Sequence, residues 1–154
     1  MAEPLFNSTE LANILGINAL SNFEVTGFEF DDRQVKVGDV YLAFKGKTLD
    51  GHDFLGKAAH AGAVAALVTH VPENAPPNLP LIIVPNVLEA LTKIGCAARA
   101  KSQAQTIFAV TGSVGKTTVR AMLEQACQSL KNTHASTASF NNHLGVPQIG
   151  RAHV

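Results

Sequence analysis

Apolar residues recur along this chain with two spacings, and the switch between them marks its elements. Leu11, Ile14 and Leu15 share one face of a helix. Asn7 can cap the first turn of that helix, Glu10 can reach back three residues to it, and Gly16 stops it. Strand-like runs follow at about residues 25–30 and 39–44, with Gly38-Asp39 as the turn into the second. Residues 46–51 read as a loop, 53–61 as a short helix ended by Gly62, and 64–69 as a small apolar strand. Pro72, Pro76, Pro77 and Pro80 exclude a helix interior and place a surface loop there. Residues 81–84 have the composition of a buried strand. Pro85-Asn86 then opens a helix that lines up Val87, Leu88, Leu91, Ile94 and Ala98. A last apolar strand is expected at 106–110, followed by a glycine turn and a helix carrying Val119, Met122, Leu123, Ala126 and Leu130 on one face. Alternating strands and helices predict an α/β fold with a mostly parallel sheet.

Composition narrows this picture. Hydrophobic residues make up 46% of the 154, charged residues 16%, and no repeat is visible, so the chain is neither disordered nor fibrous. No apolar run approaches the ~20 residues of a membrane span, and the N-terminus lacks the basic and apolar regions of a secretory signal. Cys96 and Cys127 have no CxxC spacing and read as inert thiols of a reducing cytosol. Charge is uneven. Residues 1–85 carry five basic and ten acidic side chains, and residues 86–154 carry seven basic and two acidic ones. The second half is therefore suited to an anion. It has no basic cluster interleaved with aromatics, and no nucleic-acid partner is expected.

The chemistry concentrates in Thr111-Gly112-Ser113-Val114-Gly115-Lys116-Thr117-Thr118, between a predicted strand and a predicted helix. Gly112 and Gly115 let backbone N–H groups turn inward, and the helix presents its positive end to the same point. Lys116 adds a mobile charge for the β- and γ-phosphates, and the Thr117 hydroxyl is placed to ligate Mg²⁺. The loop departs from the common G-x-x-x-x-G-K-[ST] pattern: Val110 stands where the first glycine would be.

This shortened loop resembles that of the Mur ligase superfamily, ATP-dependent enzymes that join amino acids or peptides to a carboxylate. Three further segments narrow the resemblance. Phe30-Asp31-Asp32-Arg33 followed by residues 37–46, then Asp50-Gly51-His52-Asp53-Phe54, then Ala61-Gly62-Ala63 are similar to the domain that holds the UDP-sugar end of the substrate in the MurE and MurF families. Residues 139–147, SFNNHLGVP, resemble the MurF family, whose members add D-alanyl-D-alanine to UDP-N-acetylmuramoyl-tripeptide. The resemblance implies a UDP-sugar-peptide-binding domain over residues 1–85 and the beginning of a central, P-loop-containing ATP-binding domain over 86–147. It also implies ATP and Mg²⁺ as cofactors, the tripeptide and D-alanyl-D-alanine as partners, a cytoplasmic location and a monomeric parent.

Residue by residue, the resemblance assigns the phosphates to 112–118, with Lys116 and Thr117 as the catalytic pair and Thr117 on the metal. It assigns the substrate to Arg33, Lys47, Thr48, Leu49, Asn141 and Asn142. Arg33 can fork onto an anionic or uracil oxygen, or pair with Asp31 or Asp32 on the surface. His52 can donate to substrate, but a cap on the next helix is the favoured reading. Asn141 and Asn142 can bridge a phosphate and a metal-bound water. Asp32 stands where the family has Ser or Thr, and a carboxylate near a diphosphate is repulsive unless it turns away. His60, His70, His134 and His153 lack metal-ligand spacing.

Residues 148–154 depart from the resemblance. Residues 149–154 equal the translation of ATC GGA AGA GCA CAC GTC, a string similar to a sequencing adapter, so an artificial tail on a truncated chain is expected. Such a chain is not expected to catalyse ligation by itself. Three other readings stand beside the main one: a MurE-type ligase adding a diamino acid, a non-catalytic nucleotide-binding module, and a structural α/β domain.

Overall fold

The computed structural model describes residues 4–18, 20–46, 48–102, 106–129, 133 and 135. Strand β1 (Phe6–Asn7) leads directly into helix α1 (Ser8–Leu15) and pairs antiparallel with β2 (Glu24–Val25). The Asn7 side chain accepts from the Glu10 N–H at 2.9 Å, and the Glu10 carboxylate accepts from the Asn7 N–H at 3.0 Å, which completes the expected capping box.

Strands β3 (Gly27–Glu29), β4 (Asp39–Leu42), β5 (Ala65–Val68) and β6 (Leu81–Ile83) form a parallel sheet in chain order. Phe28 lies opposite Val40, Tyr41 opposite Ala66, and Leu67 opposite Ile82. Between β4 and β5 run a 3-10 turn (Gly51–Phe54) and helix α2 (Leu55–Ala61). After β6 comes α3 (Val87–Lys101), with Asn86 as its cap. Helices α1 and α2 end on Gly16 and Gly62 in the left-handed region, as expected.

Both faces of the sheet are buried, so β4 and β5 read as continuous apolar runs. Val40, Leu42, Ala65, Leu67 and Ile82 face α1 and α3, in one core with Leu5, Phe6 and Leu11. Tyr41, Ala43, Ala66 and Val68 face the other way, onto Leu55 and Ala58 of α2 and onto Val35 and Leu79 of the two neighbouring connections. All three strand-to-strand connections thus cover one face, as successive crossovers of one hand require when the strands advance in one direction. The remaining face is left for α1 and α3.

Helix α3 buries Val87, Ala90, Leu91, Ile94 and Ala98 in the same core as the sheet. The expected boundary at residue 85 therefore falls between a strand and a helix that share one core. Lys101 at the end of α3 fastens the two ends of the unit: its Nζ donates to the Leu5 carbonyl at 3.1 Å and to Glu10 at 3.0 Å.

The expected strand at 106–110 is a correction. No strand forms there, because a strand is defined by its ladder and this stretch has no ladder partner among the described residues. Ile107 and Phe108 are exposed. Helix α4 (Lys116–Gln128) follows the glycine turn and has no buried residue. Among the described residues, no helix is long and apolar enough to cross a membrane.

Candidate functional site

In open parallel sheets, ligands bind beyond the carboxyl ends of the strands. Here that edge gathers Asp31, Asp32 and Arg33 after β3, the 45–50 loop after β4, and Thr69-His70 after β5. Arg33 extends its guanidinium, 81% exposed, and forks onto Asp31 with Nε and Nη2 each 2.8 Å from a carboxylate oxygen. That fork holds the Asp31 carboxyl well below the usual carboxylate range, with the Arg33 backbone N–H and Gln34 adding to it. Of the two readings of Arg33, the surface pair is the one formed in this structure; an anionic ligand would compete with Asp31 for the same fork. Asp32 has turned aside, half-buried, with its carboxylate 4.0 Å from Lys57 of α2. The charge that departs from the family pattern therefore has a cation beside it.

The loop after β4 is closed at its base. Lys45 and Asp50 form an antiparallel bridge, and the Gly46 N–H donates to the Leu49 carbonyl at 2.8 Å. Thr48 and Leu49 form the exposed tip, Leu49 with 67% of its surface open. Lys47 lies outside the described residues. Gly51 sits against the backbone of Phe44: a Cβ there would come within 2.8 Å of the Phe44 N and O. The Gly51 N–H donates to the Phe44 carbonyl at 2.8 Å, and the Gly51 carbonyl accepts from the Tyr41 hydroxyl at 3.2 Å.

His52 does not cap the next helix. Helix α2 has no side-chain cap, and the 3-10 turn before it is capped by Asp50, whose carboxylate accepts from the His52 N–H at 3.0 Å. The His52 ring is buried, 3% exposed. Its Nδ1 lies 2.6 Å from the Asp50 carboxylate, and its Nε2 accepts the Thr69 N–H at 3.1 Å. The two bonds from His52 to Asp50, that of the backbone N–H first, lower the Asp50 pKa. The sequence reading missed Asp50 as the cap and Thr69 and Lys57 as partners. Asp immediately before a helical turn was a readable cap signal. Nothing in the sequence pointed to Thr69, which is 17 positions from His52.

The glycine loop is built differently from every capped helix start in this chain. Gly115 is the N-terminal cap of α4, in the left-handed region at φ 79°, and Gly112 has φ 145°. No side chain caps α4 or α2, whereas Asn7, Asp50 and Asn86 cap α1, the 3-10 turn and α3. The first intrahelical bond runs from Val119 N–H to Gly115 O. The N–H groups of the first turn, at Lys116, Thr117 and Thr118, precede that bond and suit an anion. The Lys116 ammonium reaches back to the Gly112 carbonyl, so its charge lies across the loop. Ser113, Val114, Thr117 and Thr118 are exposed around it.

This arrangement fits polyphosphate: uncapped N–H donors, glycines at positive φ and a lysine across the mouth. For a metal it supplies the Thr117 hydroxyl. The acids after residue 85 are engaged on helices, Glu89 with Asn86 at the cap of α3 and Glu124 with Arg120 on α4. Among the described residues, no cluster of three or more His, Cys, Asp or Glu could hold a metal ion. Asn141 and Asn142, and the expected tail at 148–154, lie outside the described residues.

Residues 24–99 match the family model described as Mur ligase family, catalytic domain, and residues 110–152 match the Mur ligase middle domain. The chain belongs to the Mur ligase family. Within that family its likeness is to the MurF ligases. It is 36% identical over 142 residues to the UDP-N-acetylmuramoyl-tripeptide–D-alanyl-D-alanine ligase of Rickettsia prowazekii, covering 92% of this chain and 31% of that one. It also superposes on MurF from Acinetobacter baumannii with a TM-score of 0.83 at 27% identity, over 99% of this chain and 34% of that one. MurF from Thermotoga maritima, solved in complex with ADP, matches with a TM-score of 0.67 at 28% identity, over 81% of this chain and 28% of that one. A UDP-N-acetylmuramoyl-L-alanyl-D-glutamate–2,6-diaminopimelate ligase from Bradyrhizobium diazoefficiens is 39% identical over a shorter stretch of 122 residues, 79% of this chain and 24% of that one. The chain spans about a third of the length of the curated MurF relatives it matches.

Proposed function

We infer that the whole protein is a ligase of peptidoglycan precursor synthesis that adds D-alanyl-D-alanine to UDP-N-acetylmuramoyl-tripeptide. The observation that carries this reading is the order along one chain of a parallel-sheet unit similar to MurF and an uncapped glycine loop opening α4. ATP supplies the phosphoryl group that turns the tripeptide carboxylate into an acyl phosphate, releasing ADP. The dipeptide amine then attacks the acyl carbon, loses a proton, and displaces phosphate. In this reading the loop N–H groups of 112–118 hold the phosphates, and Lys116 neutralises charge developing on the transferred group. The Thr117 hydroxyl would contribute one ligand to Mg²⁺ bound with the nucleotide.

The residues at the carboxyl edge of β3–β5, Arg33, Thr48 and Leu49 with Lys47, hold the UDP end. Asn141 and Asn142 belong to the substrate side on sequence grounds. The substrate unit runs through α3 to Lys101, because α3 shares its core. The protein works in the cytoplasm, where the nucleotide-linked precursor is made. The MurE-type alternative rests on the Bradyrhizobium relative; the larger coverage of the MurF relatives favours the first reading.

Calorimetric titration with ADP and Mg²⁺ tests the phosphate site. Lys116→Ala removes a charge-assisted contact of about 1.5–3 kcal/mol, so affinity should fall roughly ten- to a hundredfold with the fold intact. Unchanged affinity would remove the loop from the phosphate site.

A further inference from the structure

The 45–50 loop proposed to hold the UDP end is anchored three times at its base, and two of the anchors return to residues on or just after β4. Tyr41 and Phe44 both bond Gly51. The third anchor runs through His52 to Thr69, just past the end of β5, beside the backbone bond from Ala43 to Leu67. Its geometry dictates one protonation pattern. The Thr69 backbone N–H can only donate, so His52 Nε2 must accept and carries no proton. A neutral ring then carries its proton on Nδ1, aimed at the Asp50 carboxylate 2.6 Å away. The same Asp50 oxygen accepts the His52 backbone N–H. Asp50 is also the bridge partner of Lys45 that closes the loop. The His70 ring stacks over His52 at 4.3 Å between centroids, and the Thr69 hydroxyl lies within 3.3 Å of Nε2.

We propose that His52 is a positioning residue for the UDP-binding loop: its ring links Asp50, the base of the 45–50 loop, to the carboxyl end of β5, and so sets where Thr48 and Leu49 stand. The proposal rests on the substrate reading above. A ring bonded on both nitrogens and closed off from water does not touch the ligand; it acts through Asp50. Replacing it should weaken the uridine diphosphate end while leaving the nucleotide loop at 112–118 unaffected.

The test uses uridine diphosphate and ADP as separate probes in calorimetry, with His52→Asn and His52→Gln as variants. Asn can still donate to Asp50 but is too short to reach Thr69; Gln can keep a carbonyl oxygen on the Thr69 N–H. His52→Asn should bind uridine diphosphate roughly tenfold more weakly, the scale of one lost bond, and His52→Gln within about threefold of wild type. Both should bind ADP as wild type does. Equal binding of uridine diphosphate by wild type and both variants overturns the proposal alone. Failure of the wild type to bind uridine diphosphate overturns the substrate reading and the proposal with it. Should the variants not fold, ¹⁵N spectra of the wild-type ring decide. Protonation at Nδ1 and ring signals that shift with uridine diphosphate support the proposal; protonation at Nε2, or unmoved signals, overturn it.

Discussion

Tyr41 places a buried phenol within reach of three carboxylates, Asp32, Asp31 and Asp50. Burial first, and those charges second, push its pKa from 10.0 up to about 12. The sign follows from which state keeps the proton. Below about pH 10 the phenol is neutral folded and unfolded. Above that, the unfolded chain releases its proton while the folded one retains it until about pH 12, so stability falls across this window. The full effect is on the order of 3 kcal/mol. Tyr41→Phe should lose about 0.5–1.5 kcal/mol near neutrality, the bond to the Gly51 carbonyl, and should flatten the decline above about pH 10. Urea titrations of both proteins near pH 7 and near pH 11 check this; parallel declines would contradict it. At this scale the sequence was only partly legible. Arg33 and Asp31 are two positions apart, and their pairing was one of two open readings, with Asp31 or Asp32 as the partner. His52 was expected to cap the next helix or to donate to substrate; instead its ring is held between Asp50 and the backbone N–H of Thr69, just past the end of β5.

At the scale of elements, local signals were legible wherever the partner is near in sequence. The capping box at Asn7 and Glu10, the Asn86 cap and the glycine ends of α1 and α2 all involve residues within five positions of one another. The strand expected at 106–110 fails for the opposite reason: an apolar run becomes a strand only through a neighbour. Gly51 shows the same dependence on a partner. Its composition signals a turn, yet what demands glycine is the backbone of Phe44, 2.8 Å from where a Cβ would stand. Gly51→Ala should therefore displace the base of the 45–50 loop. The expected cost is about 1–3 kcal/mol of stability, as for other overpacked sites, together with weaker binding of uridine diphosphate. Thermal denaturation and calorimetry read both effects, and a variant with wild-type melting and affinity would show that the loop base yields freely.

For the whole molecule, the periodicity correctly indicated α/β organisation with a parallel sheet, and the glycine loop pointed to a second, nucleotide-binding unit. The boundary expected at residue 85 lies between β6 and α3, which share one core. The proline loop at 72–80 and the change of charge after residue 85 suggested a break, but composition cannot tell which sheet an amphipathic helix will cover. The apolar stripe of α3 packs on the sheet of β3–β6 in one core with α1, and Lys101 pairs with Glu10 of α1. The central claim, that this chain is the substrate and phosphate-loop part of a D-alanyl-D-alanine-adding ligase, is tested most directly by acceptor-dependent phosphate release from ATP. The whole protein would be supplied with UDP-N-acetylmuramoyl-tripeptide and D-alanyl-D-alanine, and separately with the corresponding UDP-dipeptide and 2,6-diaminopimelate. Phosphate release that requires the tripeptide and D-alanyl-D-alanine together is the predicted result. Release driven by diaminopimelate on the dipeptide, or none with either pair, would contradict the account.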